Sequence, residues 1–218
     1  MNPFELDPYK RNNPIFPSIT GTPPPVAPLS AFHTLFAENQ WTSKPLAGVT
    51  FDLPKKPRLF ASYHHKNDQY WYNRFAGLFG KTYDLFSDTS IGRLIESDDP
   101  IYQSRKIRED HITGSSITVV LIGAETWKRK HVDWEIFATL EKKHALLGIV
   151  LPTYVKNLQN QILVPDRFYD NVTSGFAHWL HWTEQPAAII AAISATQTRA
   201  NNTALIRNGR QQLGRNLS

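Results

Sequence analysis

From residue 58 onward the chain alternates between short apolar runs and amphipathic segments, separated by polar loops. RLFASY (58–63) reads as a strand and is followed by the polar turn HHKND. DQYWYNRFAGLFG then sets Trp71, Phe75, Leu78 and Phe79 at i, i+4, i+7 and i+8, one helical face that stops at Gly80. TYDLFSD (82–88) reads as a second strand running into a loop rich in Ser, Asp and Gly, and PIYQSRKIREDHI (100–112) as a weakly amphipathic helix. SSITVVLIG (115–123) is continuously apolar, as a strand covered on both faces must be. VDWEIFATLEKKHA (132–145) reads as a helix and LLGIVLP (146–152) as a buried strand closed by proline. Thr153 to Ser174 reads as irregular. FAHWLHW (176–182) alternates like a strand near a sheet edge. PAAIIAAISATQT (186–198) opens with proline at the first helical position and gathers Ile189, Ala192, Ile193 and Thr196 on one face.

Five strands separated by helices predict an α/β fold: a five-stranded parallel sheet in a flavodoxin-like, three-layer arrangement. Ligands of such sheets bind beyond the carboxyl ends of the strands. The loops after Tyr63, Asp88, Gly123 and Pro152 therefore form the candidate functional edge. The third of these leads directly to Asp133, Trp134 and Glu135 on the following helix. That arrangement fits either an ordinary repeat with a solvated charged helix or an active site with Glu135 as its working group. The phosphate-loop patterns GxGxxG and GxxxxGK are absent, as is the GxSxG elbow of hydrolases.

Composition refines this picture. A chain of 218 residues with 41% hydrophobic and 12% aromatic content can bury a substantial core. Eleven of its 15 prolines lie between Pro3 and Pro57, so that stretch cannot supply long helices or central strands. The expected organisation is a Pro-rich N-terminal extension (1–54), the α/β domain (55–198) and a basic C-terminal tail (199–218). From Thr196 to Ser218 the chain carries Arg199, Arg207, Arg210 and Arg215 and no acid; a frayed, soluble tail is the plain reading, a basic arm the functional one. A net charge of +5 is by itself weak evidence for a nucleic-acid partner, since binders need a concentrated basic face; binding through the Arg-rich tail is a third and weaker reading. No run approaches the roughly 18 apolar residues of a membrane helix, and MNPFELDPYK lacks the blocks of a signal peptide. A cytoplasmic protein is expected. With no cysteine, thiolate chemistry and Cys-ligated zinc are excluded.

Several blocks carry a family resemblance. RLFASYHHKND is similar to the opening strand and loop of TIR domains, and GSSITVVLIGAETWKRKHVDWEI to their segment in which a strand leads into a helix bearing Trp and Glu. Together with VPDRFYDN, these blocks resemble the TIR-like subunit of bacterial Thoeris anti-phage systems over roughly residues 57–195. The resemblance implies a TIR fold and an enzyme that cleaves NAD between nicotinamide and ribose, with Glu135 as catalytic residue. NAD would be the substrate, with no further cofactor. The product would be a cyclic ADP-ribose-type signal, a diffusible nucleotide that activates a separate effector. Self-association through TIR contacts and a phage trigger are also implied. A non-catalytic TIR scaffold or sensor is the alternative. Many TIR enzymes carry Cys in the Trp-containing motif, where this chain has Val132-Asp133-Trp134.

Each candidate has a bland reading beside the functional one. On the residues alone, Glu135 also reads as a first-turn acid favoured by the helix dipole. Asp133 reads as a helix-start residue. Trp134 either packs the helix or stacks on a base of the substrate. Ser62 and Tyr63 end a strand at the functional edge and can line the nucleotide pocket. Phe86 and Asp88 flank the loop where TIR domains contact nucleotide. Adjacent histidines such as His64 and His65 diverge, so no metal site is expected. Lys128, Arg129 and Lys130 read as a solvated loop, or as contacts to a pyrophosphate.

Overall fold

The structure, a computed structural model, describes residues 58–86 and 114–218. The extension 1–54, Asp88, the polar loop after it and the expected helix 100–112 lie outside the described residues. In chain order the elements are β1 (Arg58–Ser62), α1 (His65–Phe79), β2 (Asp84–Phe86), β3 (Ile117–Ile122), a 3-10 turn (Thr126–Lys128), α2 (Lys130–Glu141), β4 (Ala145–Val150), α3 (Asp166–Thr173), β5 (His178–His181), α4 (Pro186–Ala200) and a second 3-10 turn (Thr203–Leu205). The five strands form one all-parallel sheet in the order β2-β1-β3-β4-β5, the flavodoxin-like arrangement.

Strand alternation sorts the chain into layers. Leu59, Ile117, Val119, Leu121, Leu147 and Ile149 point to one side, where they form a single core with Phe75 and Phe79 of α1 and Ile189 and Ile193 of α4. The residues between them, Phe60, Ser62, Thr118, Val120 and Gly148, point to the other side, beneath α2 and α3. Gly148 is a packing requirement here, because a Cβ would sit 2.2 Å from Cζ of Phe168 on α3. All four residues assigned to the inner face of α4, Ile189, Ala192, Ile193 and Thr196, are buried. On α1, Phe75 and Phe79 are fully buried while Trp71 and Leu78 pack partly exposed at the margin of the same core.

Three expectations are corrected. The segment HHKND is not a turn: α1 begins at His65, and Asn67 and Asp68 direct their amides to the His64 carbonyl. The stretch Thr153–Ser174 is not wholly irregular, for it contains α3. Its polar run DRFYDNVT shows too few apolar residues for helical periodicity, because Arg167 and Asn171 occupy inner positions usually held by aliphatic residues.

The third correction concerns the C-terminal segment, which is folded down rather than frayed. Arg210 grips Asp170 with two hydrogen bonds of 2.9 Å and reaches Asp166 at 3.1 Å. Asn171 receives the Arg207 amide and donates to the Arg207 carbonyl. Asn208 accepts from Arg167 and donates to the Phe137 carbonyl and Glu141. Of the arginines that look like a loose basic arm in the sequence, Arg210 thus finds its acids on α3, and Arg207 is tied to α3 through its backbone.

Candidate active site

The helix α2 is pinned to the sheet at two points, and Glu135 lies between them. His131, Glu135 and Thr139 are spaced i, i+4, i+8 and therefore form one stripe. At one end of the stripe, Nε2 of His131 lies 3.3 Å from the carbonyl oxygen of Tyr63, just past the end of β1. At the other end, the hydroxyls of Thr139 and Thr118 meet at 2.7 Å, and Thr118 is level with Phe60. The middle of the stripe must then stand level with Ser62 and its register partner Val120, on the same face of the sheet. Glu135 is only 1% exposed there, and Ser62 equally so. The Ser62 hydroxyl has no hydrogen-bond partner among the described residues.

Glu135 is thus a buried second-turn residue rather than the solvated first-turn acid that its sequence context also allows. A carboxylate and an uncommitted hydroxyl on one sheet face, near the carboxyl ends of two adjacent strands, can orient the hydroxyls of a sugar or face a developing positive charge.

Other sequence candidates have different surroundings. Tyr63 belongs to the opposite face: its ring stacks on Tyr72 with centroids 4.6 Å apart, and its hydroxyl donates to Gln69 at 2.9 Å. Its carbonyl reaches the Glu135 side, through His131. Trp134 is buried beneath the C-terminal segment, with its indole N–H donated to the Leu213 carbonyl at 2.9 Å and Lys130 Nζ 5.0 Å from the ring centroid. Phe86 ends β2 in register with Phe60. Asp133 is a structural ion, chelated by Arg167 at 2.9 and 3.3 Å and by the Leu213 amide at 2.9 Å. Both partners of that ion pair are buried.

Two residues at the rim were not singled out from the sequence. His131 is held largely neutral, its pKa lowered to about 4 by burial and by the neighbouring His65, His64 and Arg129, against the raising effect of the Tyr63 carbonyl. Its signal was the i, i+4 spacing to Glu135. Asp68, fully buried at the start of α1, accepts from Thr126 Oγ1 at 3.2 Å and Thr153 Oγ1 at 3.4 Å. Burial pushes its carboxyl pKa up, and the two threonine hydroxyls partly offset that. A Cβ on Gly123 would lie 2.2 Å from Asp68 Oδ1, so the exit from β3 requires glycine.

The basic loop is not simply solvated. Arg129 pairs with Glu125, which also accepts from Asn67 at 3.2 Å and lies 3.9 Å from His64 Nδ1. Burial raises the Glu125 pKa, but the charge and hydrogen bond of Arg129 outweigh it and hold the carboxyl below its ordinary range. Lys128 Nζ lies 5.3 Å from the Trp127 ring centroid. Among the described residues, no group of three or more His, Asp and Glu converges as a metal-ligand set, and no helix is long and apolar enough to cross a membrane.

No curated protein matches the chain at a significant level. The family model described as Thoeris protein ThsB, TIR-like domain, matches residues 60–156, a span that begins in β1, ends after β4 and includes Ser62, His131 and Glu135. With the parallel five-stranded sheet in its flavodoxin-like order, that match shows a TIR-like α/β fold in a chain that is similar, over residues 60–156, to Thoeris ThsB proteins.

Proposed function

We propose that this protein is an NAD-consuming enzyme of Thoeris-type anti-phage defence, with Glu135 as its catalytic carboxylate. The observation that carries the proposal is the placement of Glu135 level with Ser62, on one sheet face near the carboxyl edge. The bond broken is that between C1′ of ribose and the ring nitrogen of nicotinamide. Its electron pair returns to the pyridinium, so nicotinamide leaves neutral and needs no general acid. The positive charge passes to the ribosyl centre, and one buried carboxylate is enough to stabilise it or to orient the ribose hydroxyls. Ser62 supplies a hydroxyl for the same sugar. When water is excluded, a nitrogen of the adenine can capture the ribosyl centre, giving a cyclic ADP-ribose-type product. That diffusible nucleotide would activate a separate effector, after a phage trigger and self-association through TIR contacts.

The test compares lysates of phage-infected cells carrying the parent chain or Glu135→Gln, with nucleotides separated by chromatography and identified by mass. A new species with the mass of cyclic ADP-ribose, absent from the variant, is the expected result. Identical NAD profiles together with undiminished phage protection by the variant would leave the non-catalytic scaffold as the better reading.

A further inference from the structure

The start of α2 has a poor cap of its own. Its N-cap residue is Arg129, which makes no side-chain capping hydrogen bond, whereas Ser, Thr, Asp or Asn would normally occupy that place. The missing acceptor comes from far along the chain. Asn216 Oδ1 accepts the Lys130 amide at 3.0 Å, and the Leu217 amide donates to the Lys128 carbonyl at 2.9 Å, so one dipeptide brackets the helix entrance. One turn further on, Leu213 offers its carbonyl to the Trp134 indole and its amide to Asp133 Oδ2, both at 2.9 Å. These contacts all fall just before Glu135 in sequence and approach the helix from the side away from the sheet, since Glu135 shares its stripe with Thr139.

From this geometry we infer that residues 213–217 are a positioning strap for α2, with Asn216 capping the helix from outside and thereby setting Glu135 against Ser62. The inference deepens the catalytic reading above and rests on it. Two sides of the helix are then fixed independently. His131 and Thr139 hold it to the sheet, while Asn216 and Leu213 hold its first two turns from behind. Asn216 is a positioning residue: it acts on the reaction only through the helix.

The test uses the full chain with Asn216→Ala and Asn216→Asp. The alanine variant has no acceptor for the Lys130 amide, and the aspartate variant keeps one. Amide hydrogen exchange of the purified proteins should show Lys130 and Asp133 exchanging about fivefold faster in the alanine variant, the size expected for loss of a helix cap. The aspartate variant should retain parental exchange. In the infected-cell assay, NAD consumption should fall in the alanine variant and recover in the aspartate variant. Unchanged exchange in Asn216→Ala, or failure of Asn216→Asp to restore it, overturns the inference. So does parental NAD consumption by Asn216→Ala in an assay where Glu135→Gln is inactive. If exchange responds as expected but Glu135→Gln consumes NAD like the parent, the catalytic reading fails and the strap remains only a cap.

Discussion

The hydroxyl of Thr139 lies 2.7 Å from that of Thr118, and this buried contact sets how far α2 has advanced along the sheet. Thr139 also donates to the Glu135 carbonyl at 2.7 Å, leaving Thr118 as donor between the two hydroxyls. Thr139→Val should strand the Thr118 hydroxyl in an apolar layer and cost about 1–3 kcal/mol. The double variant Thr118→Val/Thr139→Val should cost less than the sum of the single changes. Chemical denaturation of the four proteins measures the difference.

Ser62 should separate stability from function. Its hydroxyl is buried without a partner among the described residues, so Ser62→Ala removes an uncompensated polar group. Thermal stability should hold or rise by about 1 kcal/mol. NAD consumption should nevertheless fall about tenfold or more if the hydroxyl orients the ribose. A variant that loses stability and activity together would show that Ser62 is a packing residue.

The Asp133–Arg167 pair should prove costly to break singly. Arg167→Met leaves a carboxylate buried with only the Leu213 amide to satisfy it, and about 3–5 kcal/mol of stability should be lost. Replacing both members by apolar residues of similar size should recover much of that loss, as read from the midpoint of a urea titration.

His131 makes stability depend on pH in a defined direction. Its folded pKa, about 4, lies below the ordinary value of 6.5, so the unfolded chain takes up the proton first as pH falls. Its contribution is fully present above pH 6.5 and is lost between 6.5 and 4, to a limit of about 3 kcal/mol. Burial also lowers the pKa values of His64, His144 and His178, which add loss in the same direction. His131→Gln keeps an N–H for the Tyr63 carbonyl and removes the titration. Its unfolding free energy should fall less steeply than the parent's across that window.

Gly148→Ala should drive a methyl group into the Phe168 ring and cost about 1–3 kcal/mol. Phe168→Leu in the same chain should return part of that loss, measured by differential scanning calorimetry.

The central strands were legible because parallel strands covered on both faces read as unbroken apolar runs: ITVVLI in β3 and ALLGIV in β4 are buried along their whole length. The inner face of α4 was legible from its 3.6-residue period. The start of α1 was not, because His64, Lys66 and Asn67 carry turn-like polarity, while Asp68 is buried only through threonines 58 and 85 residues away in sequence. α3 escaped notice for the related reason that its inner residues are an arginine and an asparagine, satisfied by Asp133 and Arg207. Of the site, Glu135 was visible through its motif. Its placement level with Ser62 depends on sheet register and on the pins at His131 and Thr139, and no local pattern encodes these.

The distance along the chain between Lys130 and the residue that caps it also imposes an order on synthesis. Asn216 is 86 positions downstream, so the β3–α2 unit emerges from the ribosome with its helix entrance uncapped. Contacts between residues so far apart form late, after the segments between them have closed. A nascent chain can therefore hold its sheet and its glutamate well before the helix that carries that glutamate is fixed, and a domain proposed to consume NAD would be completed only once residues 213–217 have been made and have closed back onto it.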